Sequence, residues 1–161
     1  MVRNLAEMGR NLQKIISRLQ ANQNLLKLLY YTDKDPYAGE ELTEVQIKDE
    51  IFEKLIKIVP RVGPKENAKS LIVVRVVRGT PNENEEFENI SINIEVFVPL
   101  TQWIIKDSNL RPFAIMGEIQ KSLNGKTVDG LGRISGGEFS LNFLTEEMSC
   151  YEMTFYITTY D

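Results

Sequence analysis

The hydrophobic pattern changes its period partway along the chain, and that change constrains the fold more than any other feature. As far as Val59 the apolar residues recur every three or four positions, as they do on helices. From Leu71 they run continuously or alternate, as they do on strands, with one return to the helical period between Asn109 and Asn124. Helices followed mainly by strands specify an α+β domain. The expected architecture is a mostly antiparallel sheet of about five strands with helices packed on one face, in the order ααα-ββ-α-βββ. The 161 residues suit one such domain at 32–161, preceded by an N-terminal helical segment at 1–31.

In the N-terminal segment Leu5, Met8, Leu12, Ile15, Ile16 and Leu19 form one apolar stripe. Asn24–Tyr31 (NLLKLLYY) is apolar nearly all round and is expected to be buried. Thr43 with Gln46 three residues on has the spacing of a capping box. The apolar face from Val45 through Ile47, Ile51, Phe52, Leu55 and Ile56 to Val59 predicts a full helix that Pro60 stops. A last helix is predicted at about Asn109–Asn124, with Pro112 in its first turn, an inner stripe of Phe113, Met116, Ile119 and Leu123, and Gly125 closing it.

Leu71–Arg78 (LIVVRVVR) reads as a strand covered on both faces. Ile90, Ile92, Ile94, Val96 and Val98 alternate with polar residues and Phe97 on a half-buried strand. Gly79–Asn89 between them reads as a long acidic hairpin loop carrying Asn82, Glu83, Glu85, Glu86 and Glu88. Val128–Ile134 and Glu138–Leu144 read as two strands about a Gly136-Gly137 turn, and Tyr151–Tyr160 as a terminal strand.

Reactive side chains are scarce. There is no histidine, and Cys150 is the only cysteine. Catalysis by a Ser-His-Asp or Cys-His pair, a structural zinc of Cys and His ligands, and an intrachain disulfide are therefore all removed. Gly125-Lys126-Thr127 resembles the end of a phosphate loop, but position 120 is Gln where that loop needs glycine, and the tripeptide trails a helix. The expectation is a protein that is not an enzyme, with no catalytic, cofactor or metal residues. A lone thiol suits a reducing cytoplasm, the N-terminus lacks the apolar core of a signal peptide, and no run approaches the ~20 apolar residues of a membrane span.

Charge and aromatic rings point to a subunit that assembles. Residues 1–31 hold Arg3, Arg10, Lys14, Arg18 and Lys27 against Glu7, a local +4 that leaves −8 for the rest of a chain of net charge −4. A basic helix clasping a neighbour's acidic surface accounts for that asymmetry. Large rings at Tyr30, Tyr31, Phe97, Trp103, Tyr156 and Tyr160 are of the kind enriched where proteins meet proteins. The candidate interface is accordingly Arg3, Arg10, Lys14 and Arg18 with those six rings.

The runs NLLKLLYYTDKDP, VVRVVRG, FENISINIEVFVP, Trp103 with NLRPFAIMGEIQKSL, GLGRIS and the final YEMTFYITTYD together resemble the small neck and tail-completion proteins of tailed bacteriophages, in particular the tail-terminator and head–tail joining group. The resemblance covers nearly the whole chain and implies a virion protein, assembled in the host cytoplasm. It implies a homo-oligomeric ring, usually of six copies, that ends the tail tube and docks to the connector. The loop at 79–89 would then project from the ring, its acids keeping DNA in the lumen from sticking. Two other readings remain open: another tail, baseplate or connector adaptor, and a nucleic-acid-binding regulator that uses the basic helix.

Overall fold

The structure is a computed structural model that describes residues 5–59 and 69–158. Arg3, Pro60, the connection at 61–68 and Tyr160 lie outside the described residues. Helices α1 (Met8–Gln20) and α2 (Gln23–Tyr30) are separated at Ala21–Asn22, where the Asn22 side chain caps α2 by accepting from the Leu25 N–H. The all-round apolar segment is buried as its composition demands, with Leu25, Leu26, Leu28 and Leu29 fully covered. Burial of each such side chain contributes about 1.5–3 kcal/mol.

The predicted helix at 43–59 forms only its beginning. The Thr43–Gln46 capping box is present, and α3 (Glu44–Gln46) passes into one wide turn at Ile47–Ile51. The chain then leaves the helix at Phe52, and Glu53 takes a positive φ of 58°. Glu53 holds the bend by accepting from the Ile58 N–H at 2.8 Å, and Ile56–Lys57 become strand β1, parallel to the start of β2 (Leu71–Pro81). The sheet buries Ile56 completely, whereas Val45 and Val59 of the presumed helix face remain 68% and 57% exposed.

Strand β3 (Phe87–Pro99) pairs with β2 from Leu71↔Phe97 to Pro81↔Phe87. Pairing therefore consumes most of the presumed loop at 79–89 and leaves a turn at 82–86. There the Asn82 carboxamide accepts from the N–H groups of Asn84 and Glu86, and Glu85 sits at a φ of 62°. The left-handed conformation costs a non-glycine residue about 1–2 kcal/mol, more than the roughly 0.5–1 kcal/mol entropic cost of glycine. Glu85→Gly should therefore raise stability by roughly 0.5–1 kcal/mol, read as a higher urea midpoint with an unchanged slope. The side chain of Glu88 lies outside what is described.

After β3 come a small ribbon of β4 (Ile104–Ile105) and β5 (Asn109–Leu110), then α4 (Arg111–Leu123), β6 (Thr127–Val128), β7 (Gly132–Leu144) and β8 (Met148–Thr158). The two strands predicted around Gly136-Gly137 are one strand. Those glycines, at φ of 108° and 99°, form a bulge where the register with β8 shifts, and the real turn is at 145–147. A Cβ on Gly136 would meet the Thr154 carbonyl at 2.9 Å, so the bulge needs glycine there. The main sheet has six strands in the order β1-β2-β3-β8-β7-β6, antiparallel except at β1, so β8 is inserted between strands made before it.

One face of the sheet carries the core. Ile72, Val74, Ile92, Ile94, Phe155 and Ile157 are buried on it, and α4 packs against β3 with a buried stripe of Ile115, Met116, Ile119 and Leu123. Phe113, expected in that stripe, is 39% exposed. Helices α1 and α2 pack on α4 and share this core. Gly125 closes α4 at a φ of 74°, the role expected of a helix-closing glycine. Among the described residues no helix is long and apolar enough to cross a membrane.

Arg111 locks the helical layer. It is fully buried, and its guanidinium donates to four backbone carbonyls: Gln102 (2.9 Å), Leu28 (2.6 Å), Tyr31 (2.8 Å) and Asp33 (2.6 Å). Leu28 and Tyr31 belong to the end of α2, where unpaired carbonyls and the helix dipole attract a cation. Burial lowers the guanidinium's pKa, and the nearby Asp33 carboxylate opposes that shift.

Candidate functional site

The sequence-predicted interface residues do not form one surface. Lys14 and Arg18 donate to the carbonyls of Asp129 and Thr127, each at 2.8 Å, and Asn11 donates to that of Gly130, so the polar side of α1 is fastened to β6 and the turn after it in its own chain. Arg10 is exposed. Tyr30 and Tyr31 pack edge to face at 5.2 Å, with the Lys69 ammonium 3.6 Å over the Tyr30 ring and the Tyr31 hydroxyl donating to the Glu40 carbonyl. Phe97 is buried beside Phe143. Trp103 is half-buried, 6.3 Å from Tyr151, and its indole donates to Ser149. Only Tyr156, at 44%, is an exposed ring from that set among the described residues.

The larger apolar surface lies where α4 stops covering the sheet. Phe139 and Leu141 of β7 point to the helical face but lie past the first turn of α4, and they are 56% and 51% exposed. Phe113 meets Phe139 edge-on at 5.8 Å, and Tyr151 lies 5.4 Å from Phe113 and 6.1 Å from Phe139. Beyond the register shift at Leu141/Phe143 the same strand exposes Phe143 on the opposite face, in the row of Cys150, and Leu144 opposite Ser149 on the helical face. Contiguous exposed rings of this kind mark interaction surfaces in soluble chains. The alternation Phe139, Leu141, Phe143 was available as a signal, but it also suits a buried strand.

The middle rows of the sheet's outer face are polar and mostly paired within the chain. Arg75 pairs with Glu95 at 2.8 Å, Asn142 donates to Glu95, Asn93 bonds both Glu152 and Thr154, and the Tyr156 hydroxyl donates to Glu138. That last contact raises the Tyr156 pKa. Cys150 lies within this network, fully buried, with burial first and the Glu95 charge second pushing its thiol up to about 12. A buried thiol held neutral in this way is inert. Native protein at pH 8 should react with a thiol-directed disulfide reagent at least ~100-fold more slowly than urea-unfolded protein; equal rates would contradict the burial. The shift stabilises the fold below the ordinary thiol pKa and is lost as pH rises toward 12. Among the described residues no three acidic, His or Cys side chains gather as a metal site.

Residues 22–157 match the YomW family, a span that leaves α1 outside it. No curated protein matches the chain.

Proposed function

The chain belongs to the YomW family, a phage-derived family, and on that premise we propose that it is a structural rather than catalytic part of a phage particle. In this reading copies assemble as a ring that ends the tail tube and joins it to the head connector, in virions assembled in the host cytoplasm. The observation that carries the reading is the exposed cluster of Phe113, Phe139 and Leu141, a surface suited to another protein. The acidic turn with Glu83, Glu85 and Glu86 suits a lumen through which DNA passes without binding.

Electron microscopy of particles made without this gene tests the proposal. Heads lacking joined tails, or tails of abnormal length, are the expected result, and particles of normal form and infectivity would overturn it. Normal joining with a defect at the distal tip would favour the baseplate reading instead.

A further inference from the structure

We propose that neighbouring copies join through their sheets, the free edge of β2 in one subunit pairing antiparallel with the free edge of β7 in the next. The inference rests on the ring reading and names its joint. Among the described residues β1 covers only Ile72–Val73 of β2, and β6 covers only Gly132–Arg133 of β7. Among the described residues Val74–Pro81 and Ser135–Leu144 therefore each present one side with no strand partner. Unpaired strand edges are templates for another strand, and soluble proteins usually protect them. Here the β7 edge carries exposed Phe139, Leu141, Phe143 and Leu144, and the β2 edge carries exposed Val77.

The two edges are complementary. Cross-strand pairing places Arg75, Asn93, Thr154 and Glu138 in one row across the sheet, and Arg78, Ser91, Tyr156 and Ser135 in the next. A row thus ends in arginine at the β2 edge and in glutamate at the β7 edge. Both edges are also irregular at the same level, with register shifts at Val76/Arg78 and Gly136/Glu138. Among the described residues two buried polar atoms have no partner, Arg75 Nε of β2 and Gln120 Oε1 of α4 over Gly137 of β7. One is a donor and the other an acceptor.

Strand direction selects the arrangement. β2, β3, β8 and β7 alternate, so β2 and β7 run oppositely. A copy rotated about an axis along the strands then brings its β2 antiparallel to the first copy's β7 and continues the alternation. Such a head-to-tail contact generates a ring when the rotation between copies closes, as the ring reading requires. Pairing β7 with β7, or β2 with β2, would instead set like charges together.

Sedimentation velocity on the full chain tests this, with Arg78→Glu and Glu138→Arg as variants and circular dichroism melts as the folding control. The expected result is a ring for the wild type and monomer for each variant alone. An equimolar mixture of the two variants should recover the ring mass, because every joint then meets opposite charge. Should either variant fail to melt cooperatively, Arg78→Gln and Glu138→Gln replace the pair, each expected to weaken assembly at least tenfold. Variants that keep the ring mass, or a mixture that yields only dimers, would overturn the edge joint and leave the ring. A wild type that stays monomeric at every concentration would instead overturn the ring reading, and the joint with it.

Discussion

Replacing Arg111 with Met should lower the free energy of unfolding by about 3–5 kcal/mol, the largest effect expected of any single substitution in this chain. Methionine matches the stem of the side chain but donates nothing. The carbonyls of Leu28, Tyr31, Asp33 and Gln102 would then lose their shared donor inside the fold. Each buried acceptor left unsatisfied costs about 1–3 kcal/mol, tempered by whatever water the site admits. Against a typical domain stability of about 5–15 kcal/mol, this removes a large share. Lys at the same position should recover little, because a compact ammonium cannot span four carbonyls that a planar fork reaches together. Urea unfolding reads the effect, with exposed Lys54→Met as the control, expected within about 0.5 kcal/mol of wild type. A wild-type midpoint for the Arg111 variant would show that the four carbonyls need no cation.

The second large effect concerns assembly. Phe139→Asp should weaken self-association by about 2–4 kcal/mol, roughly 30- to 1,000-fold, while the monomer still melts cooperatively. The ring is 56% exposed, so the isolated subunit loses mainly its edge contacts with Phe113 and Tyr151. Those contacts are worth about 0.5–1.5 kcal/mol each. In a buried joint the same position would place a carboxylate among apolar groups without a partner. Val45→Asp, on a side chain 68% exposed in another part of the molecule, supplies the comparison and should leave association unchanged. Analytical ultracentrifugation over a concentration series reads both. Equal association constants for the two variants would remove the aromatic cluster from any role in assembly.

What the sequence reveals and what it hides divide along a physical line. The buried leucines of α2, the alternation of β3, the Thr43–Gln46 box and Gly125 closing α4 are local patterns, each decided within a few residues. The early end of α3 is not local. Helical periodicity at Leu55 and Ile56 competes with a place in the sheet, and the pairing of Ile56 with Ile72 wins. The Gly136-Gly137 pair reads equally well as a turn or a bulge until its partner strand is known. Arg111 gives no sequence signal, because its partners are backbone carbonyls, which every residue possesses. The aromatic cluster is hidden for a related reason. Whether Phe139 and Leu141 are covered depends on where α4 begins above them, not on their own spacing. The lysine and arginine of α1 show as an unbalanced charge, yet Lys14 and Arg18 reach carbonyls of a turn more than a hundred residues away.

The insertion of β8 between β3 and β7 bears on how the protein is made. On the ribosome β3 emerges well before the strand that will lie beside it, with α4 and β7 synthesised in between. The Ile90↔Ile157 and Ile94↔Met153 pairings link residues roughly 60 positions apart, about 3–12 s of translation at 5–20 residues/s. For that interval the nascent chain holds a half-built layer whose central ladder is vacant. Its most apolar strand is then open to chaperones, or to another nascent chain on the same messenger.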